Sequence, residues 1–212
     1  MTMNNRNEVL LEGTVLTAPA WSHENHGTRF YRFPLQVLRL SGQADILPVL
    51  LPESLLPAVT VGRNVRVQGQ LRSFNNRSGV GSRLVLTVYA QDVTPGCGSP
   101  CNQIFLSGSL CKPPVFRRTP LGRSICDLML AAPRRYGRAD YLPVIAWGQL
   151  AVRASRLAVG DPLAFEGRVQ SRAYRKVTDT GTEDRVAYEV SMMHLLETVS
   201  APEPPERCPE QD

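Results

Sequence analysis

Apolar and polar side chains alternate along most of this chain, with the two-residue period that is typical of β-strands. In the first half the pattern is clearest over residues 9–15, 30–37 and 83–89. In the second half it predicts strands at about 103–111, 123–132, 141–147, 162–172 and 184–195. A helical period occurs over about 149–157, where Leu150, Ala154 and Leu157 fall on one face. The pattern therefore indicates a mostly β protein.

The two halves of the chain repeat one another at an offset of 95 positions. At this offset residues 8–13 correspond to 103–108, and residues 45–49 correspond to 140–144. The offset then increases by three residues, so that Gly62 corresponds to Gly160 and Gly69 to Gly167. It increases by one more before Tyr89, which corresponds to Tyr188. Similarity held over such a length predicts a duplicated domain.

Each copy has the element order of an OB-fold, a five-stranded Greek-key barrel with a helix between its third and fourth strands. Pro52 and Pro57 occupy the helix region of the first copy, so we expect its helix to be short or absent. The sequence thus predicts an all-β chain of two tandem OB-folds. The expected divisions are a first barrel over 1–95, a flexible linker over 96–101, a second barrel over 102–199 and a disordered acidic tail over 200–212.

Charge is distributed unevenly over these parts, although the whole chain carries only +5. Residues 1–95 carry +3, residues 102–199 carry +5 and residues 200–212 carry −3. A basic second domain suits a polyanionic partner. The N-terminus has no apolar signal-peptide core, no segment is long and apolar enough for a membrane span, and five cysteines form no disulfide framework. These features predict a cytoplasmic location.

Catalytic and metal-binding patterns are weak in this sequence. No nucleophile–histidine constellation, phosphate-binding glycine loop or carboxylate pair is apparent, and the chain has three histidines. Cys97, Cys101 and Cys111 do not have a standard zinc spacing, and His23 and His26 fall in an expected loop. We predict a protein that is not an enzyme and holds no metal or cofactor.

Residues 103–198 resemble the bacterial single-stranded DNA-binding protein (SSB) family. The motifs that carry the resemblance are Gly108-x-Leu110-x3-Pro114-x2-Arg117-x-Thr119-Pro120-x-Gly122, Leu130-Ala131, the segment 143–151, the segment 167–172 and Tyr188-Glu189-Val190. The resemblance implies sequence-independent binding of single-stranded DNA in replication, recombination or repair, close to the nucleoid. In such proteins a basic groove follows the phosphates while aromatic rings stack on unpaired bases.

The resemblance also implies which side chains bind. Stacking aromatics of the family fall on Tyr136, Tyr141, Trp147 and Tyr174. Nearby basic residues that we expect to contact phosphates are Arg134, Arg135, Arg172, Arg175 and Lys176. A single ring in a small barrel is more often part of the core, but four rings at four family positions favour the binding interpretation.

The same positions in the first copy are not aromatic. They are occupied by Ser41, Ile46, Pro52 and Asn76. Phe74, with Arg72 and Arg77, offers one replacement contact. We therefore expect the first barrel to be mainly a scaffold, used for pairing, and at most a weak binder.

Two alternative functions stay open at this point. One is an OB-fold adaptor that binds proteins, as in a primosome, with its rings buried; the other is a binder of single-stranded RNA. Because SSB relatives combine four barrels, two barrels per chain imply a homodimer. The chain ends Arg207-Cys208-Pro209-Glu210-Gln211-Asp212, without the hydrophobic tip by which relatives recruit enzymes, so C-terminal recruitment of other proteins is not predicted.

Overall fold

The computed structural model describes residues 5–76, 83–178 and 181–196. The strands of the first half are β1 (Asn7–Val15), β2 (Ala20–Asn25), β3 (Thr28–Leu38), β4 (Ala44–Pro52), β5 (Asn64–Asn75) and β6 (Leu84–Pro95). Those of the second half are β7 (Cys101–Leu110), β8 (Val115–Arg118), β9 (Ser124–Pro133), β10 (Ala139–Trp147), β11 (Pro162–Thr178) and β12 (Gly181–Leu195). Within these ranges the helical elements are 3-10 turns at Glu53–Ala58 and Arg135–Gly137 and one α-helix, α1 (Gly148–Ala154).

Each half closes into a barrel. In the first, β1 pairs with β3 and β5, β3 pairs with β4, and β6 joins β5 to β4. In the second, β7, β9, β10, β12 and β11 repeat this circuit. In both, only the pairing of the third strand with the last is parallel. This circuit confirms the predicted tandem OB-folds.

Alternating side chains build the two cores. Along β1, Val9, Leu11 and Val15 are buried, while Glu8 on the opposite face is exposed. The largest fully buried side chains of the second barrel include Phe165. Full burial of one Leu or Phe side chain contributes about 1.5–3 kcal/mol, so alternation of this kind specifies which face of each strand points inward.

Two strands, β2 and β8, are absent from the sequence-based prediction. Every residue of β8 is exposed, as are all residues of β2 except Ser22. They pair with β3 and β9 as arms outside the barrels. A strand that buries neither face has no apolar period, so the pattern could not reveal it.

The helices follow the expected difference between the copies. In the part of the first barrel that the structure describes, the helix is replaced by a 3-10 turn with Pro57 inside it. In the second, α1 buries Ala151 and Ala154 but ends before the predicted residue 157, with Ser155 as its C-cap. No helix in the described ranges has the length and apolarity needed to cross a bilayer.

The strand ladders correct one correspondence between the copies. Val88 pairs with Val49 in the first barrel, and Val190 pairs with Val144 in the second. The offset is therefore 190 − 88 = 102 in the last strand, so Tyr89 corresponds to Ser191 and not to Tyr188. The preceding strands differ by 98, because Gly69 corresponds to Gly167. The second hairpin is thus longer by 102 − 98 = 4 residues.

A pseudo-two-fold axis relates the barrels. It passes between Val9 and Ile104, which are equivalent by the 95-residue offset and lie opposite each other in the antiparallel β1–β7 pair. The Asn7 side chain donates a hydrogen bond to Leu71 O and accepts one from Leu71 N, both at 2.8 Å. The equivalent Asn102 side chain makes the same two hydrogen bonds with the backbone of Val169, at 2.7 and 2.9 Å. Because β1 pairs with β7, the strands of the two barrels form one continuous sheet.

The predicted linker is bound to the first barrel by a buried carboxylate. Glu12 Oε1 accepts hydrogen bonds from the backbone N–H groups of Gly98 at 2.8 Å and Ser99 at 3.1 Å. Its Oε2 lies 3.2 Å from Nε of Arg66 and also accepts from the Cys97 thiol. Burial alone would raise the pKa of Glu12, but the donors outweigh it and hold that pKa below its usual value.

Candidate nucleic-acid interface

Tyr136 projects from the turn between β9 and β10. Its φ is 62°, the following Gly137 has φ 65°, and the turn is closed by a hydrogen bond from Arg134 N to Arg138 O at 2.7 Å. The side chain is 95% exposed. A left-handed conformation costs a residue with a side chain about 1–2 kcal/mol. Backbone strain of this kind clusters at functional sites.

Two further predicted rings lie on the outer face of β10. Leu142, Val144 and Ala146 point into the core, so Tyr141 and Trp147 on the alternate positions point outward. They are 50% and 41% exposed. The strand therefore presents both rings to solvent, where bases could stack on them.

Trp147 lines a pocket where β10 ends and α1 begins. The other residues that line it are Gly122, Arg123, Ser124, Gly148, Gln149 and Val152. Because Gly148 has φ 58°, the chain turns sharply into the helix directly after the ring. The pocket offers a flat ring, a guanidinium and a side-chain amide, which can stack on a base, contact a phosphate and hydrogen-bond a base edge.

Tyr174 and Arg172 lie on one face of β11. The Arg172 guanidinium carbon is 5.9 Å from the centre of the Tyr174 ring, which is within the range of a cation–π contact. Tyr174 is half-buried, and Arg172 is exposed. Tyr174 belongs to a strand and not to a loop, because β11 continues to Thr178.

The predicted phosphate-binding residues differ in their availability. Arg135 is exposed, whereas the Arg134 guanidinium lies 3.5 Å from Asp140 and is 34% exposed. Arg175 pairs with Asp184 at 3.4 Å, but both side chains are more than 80% exposed, so phosphate can replace the carboxylate at little cost. The Lys176 side chain lies outside the described part of the structure, as does Arg77.

A buried carboxylate fixes Tyr141 against the first barrel. Asp140, which is fully buried, accepts hydrogen bonds from Ser73 N at 2.8 Å and Arg72 Nη1 at 3.0 Å. Ser73 Oγ in turn accepts a hydrogen bond from Tyr141 N at 2.7 Å. The end of β5 in the first barrel therefore lies beside the start of β10 in the second.

The equivalent junction lies across the pseudo-two-fold axis. Asp45 accepts from Ser171 N at 2.8 Å and from Arg39, and Ser171 Oγ accepts from Ile46 N at 3.2 Å. Strand β11 thus contacts β4 of the first barrel. The structure accordingly places the β11 pair, Arg172 and Tyr174, at the boundary with the first barrel.

The first barrel has a cluster of rings at other positions, in which His23 is exposed and Phe30 and Tyr89 are partly buried. His23 stacks on Phe30 with ring centres 5.0 Å apart, and Tyr89 lies 6.2 Å from Phe30. Phe30 pairs with Pro52, the residue equivalent to Trp147. In the second barrel Trp147 pairs with Ile125, the equivalent of Phe30. The aromatic residue has therefore changed strands, and only knowledge of the pairing could reveal it.

Comparison with known proteins shows that the second barrel is similar to one protein family. Residues 101–196 match the model of the single-strand binding protein family. Over 119 residues, 54% of this chain, the sequence is 33% identical to the single-stranded DNA-binding protein of Thermus thermophilus. The counterpart from Thermus aquaticus is 36% identical over 106 residues. The matched segments span 43% and 39% of those relatives' own length.

The fold comparison extends over both barrels. A crystal structure of a deletion mutant of the Thermus aquaticus single-stranded DNA-binding protein superposes with a TM-score of 0.75 and 26% identity. It covers 96% of this chain and all of that one. The wild-type structure gives a TM-score of 0.73 over 92% of this chain and 94% of the other.

These observations define the class as a tandem OB-fold protein with exposed aromatic rings on its second barrel. The second barrel, over residues 101–196, is similar to the single-strand binding protein family, as its motifs had indicated.

Proposed function

We propose that this protein binds single-stranded DNA without sequence preference, in replication, recombination or repair. The observation that carries the proposal is the set of three exposed rings along β9 and β10, namely Tyr136, Tyr141 and Trp147, beside exposed arginines. Each stacked base contributes about 1–3 kcal/mol, and every base has a face that can stack. The names of the Thermus relatives support the same ligand.

Phosphate contacts supply the rest of the affinity. Arg135 and Arg172 are exposed beside the rings, and Arg134 and Arg175 extend the basic surface. We include Lys176 among the phosphate contacts from its place in the sequence. Binding of this kind releases counterions, so affinity falls as salt rises.

The first barrel acts mainly as a scaffold in this proposal, with at most weak binding of its own. The two junction carboxylates, Asp45 of the first barrel and Asp140 of the second, and the shared β1–β7 pair hold the barrels together. Two barrels per chain support a homodimer that presents four OB-folds, working in the cytoplasm close to the nucleoid. The domain divisions at 95, 101 and 199 remain part of the proposal, as does the absence of catalysis.

The rival adaptor function requires rings covered by protein. Exposure of 95%, 50% and 41% for the three rings favours an open site within one chain.

RNA binding is tested separately, because stacking does not distinguish the sugars. Equal competition by matched RNA and DNA oligomers would favour the RNA alternative, and preferential competition by DNA supports the proposal.

The decisive variant combines Trp147→Ala with Tyr174→Ala in the full chain. The full chain is needed because separated barrels would expose β1 and β7. We expect the double variant to bind oligo-dT at least tenfold more weakly than the wild type in a fluorescence anisotropy titration. A Val61→Ala variant, at an exposed apolar residue in a turn of the first barrel, serves as the control. Unchanged affinity of the double variant would contradict the proposal.

A further inference from the structure

An apolar groove lies where the two barrels meet. One wall is formed by Leu84, Val85 and Leu86 of β6, and the other by Val186, Ala187, Tyr188 and Glu189 of β12, with Pro143 of β10 beside them. By the offset of 102, Leu84–Leu86 correspond to residues 186–188. The groove therefore lies on the pseudo-two-fold axis and has walls from both barrels.

Phe74 lies on the first-barrel side of this groove. It pairs directly with Val85, and cross-strand partners point to the same face of a sheet. Its ring is 53% exposed. On the other side Arg172 pairs with Ala187 in the same way and contacts Tyr174.

The backbone of Tyr141 contacts Ser73, the residue that precedes Phe74. Hydrogen bonds from Ser73 N to Asp140 and from Tyr141 N to Ser73 Oγ hold the end of β5 beside the start of β10. Pro143, which lines the groove, is on the same face of β10 as Tyr141. Across this surface the side chains therefore follow the order Tyr141, Phe74, the apolar groove, and then Arg172 with Tyr174.

We infer that Phe74 and the groove form an additional subsite for unpaired bases, supplied to the second barrel's interface by the first barrel. A single strand that passes from Tyr141 to Tyr174 crosses this surface, and a ring with an apolar floor suits a base that has left its stack. Asp140 is a positioning residue here, since it fixes β5 against β10 without facing solvent. The inference rests on the proposed function.

The charges around the groove fit a polyanion that follows its edge. Arg83, next to Leu84, and Arg172 are both exposed. Glu189 is the carboxylate that lines the groove, and its Oε1 accepts a hydrogen bond from Gln170 Nε2 at 2.7 Å. The apolar walls are therefore available to bases while arginines lie at either side for phosphates.

The test compares Phe74→Ala, Phe74→Leu and Phe74→Trp in the full chain, using labelled oligo-dT of about 30 nucleotides, long enough to occupy two OB-folds. We expect Phe74→Ala and Phe74→Leu to raise the Kd about 5- to 100-fold, because both remove the ring. Phe74→Trp should bind as the wild type does. Val61→Ala, at a site of similar exposure in the same barrel, should change the Kd less than twofold.

Two results would overturn the inference. One is wild-type affinity in Phe74→Ala, and the other is wild-type affinity in Phe74→Leu, which would mean that the ring is not stacking on a base. If Phe74→Ala is poorly folded by circular dichroism, the comparison of Phe74→Leu with Phe74→Trp decides. Trp147→Ala is measured alongside: a loss there with no loss at Phe74 rejects the subsite alone, whereas no binding by the wild type rejects the proposed function.

Discussion

Ser73 of the first barrel accepts a hydrogen bond from the backbone N–H of Tyr141 in the second, at 2.7 Å. Its own N–H donates to Asp140, the neighbour of Tyr141. A candidate base-stacking residue is thus fixed by the other copy of the duplicated domain. The first barrel contributes to the interface through this junction, even though it lacks aromatic residues at the family positions.

Removing the charge of Asp140 should destabilise this junction. Asp140→Asn weakens the contacts with Ser73 N–H and Arg72, and hydrogen bonds to a charged group contribute about 1.5–3 kcal/mol. We expect the free energy of unfolding in urea to fall by about that amount. Asp127→Asn is the matched control, since Asp127 is 42% exposed and pairs with Arg117. The control should cost less than about 1 kcal/mol. Equal effects of the two variants would contradict a special role for the junction.

Tyr136→Gly should change stability and binding in opposite directions. Glycine adopts a φ of 62° without the roughly 1–2 kcal/mol penalty of a side chain, so thermal unfolding should shift upward. Loss of the ring should weaken oligo-dT binding by about 1–3 kcal/mol. Tyr136→Phe keeps the ring and should retain wild-type affinity. Wild-type binding by the glycine variant would remove Tyr136 from the interface.

Acid should release the segment held by Glu12. Because the folded-state pKa of Glu12 is lowered, its contribution to stability is complete above the unfolded-state pKa of about 4.3 and is lost as pH falls through the folded value. Glu12→Gln should therefore be less stable than the wild type near neutral pH, and the difference should shrink below about pH 4. Urea unfolding at several pH values measures this. A difference that does not change with pH would contradict the assignment.

The displaced rings of the first barrel should matter less than those of the second. Phe30→Ala removes the centre of the His23–Phe30–Tyr89 cluster, and we expect the Kd for oligo-dT to change less than it does in Trp147→Ala. Anisotropy titrations under one salt condition compare the two. A larger loss in Phe30→Ala would make the first barrel a principal binding domain and not a scaffold.

The alternation of buried side chains was sufficient to predict both barrels, because in each one face of every barrel strand packs inward. It was not sufficient for β2 and β8, whose residues are almost all exposed. The correspondence of Tyr89 with Tyr188 was wrong, since a hairpin of different length shifts the register by four residues. Local sequence similarity does not detect such a shift.

For the site, the positions shared with the family predicted which aromatic residues bind. They did not predict that Tyr141 and the Arg172–Tyr174 pair would lie against the first barrel. The contacts of Asp140 with Ser73 and of Asp45 with Ser171 join residues 67 and 126 positions apart. No local pattern reveals bonds of that range. The roles of the nine predicted binding residues remain predictions, and Phe74 joins them only through pairing and packing.

The most direct test of the central claim uses Trp147 as its own reporter. The sequence contains two tryptophans, so Trp21→Phe leaves Trp147 as the only one. Stacking predicts that oligo-dT quenches its fluorescence and that the logarithm of the binding constant falls linearly with that of salt, with a slope of about −0.7 for each phosphate contacted. An unchanged emission spectrum at saturating oligo-dT, or binding that does not depend on salt, would contradict it.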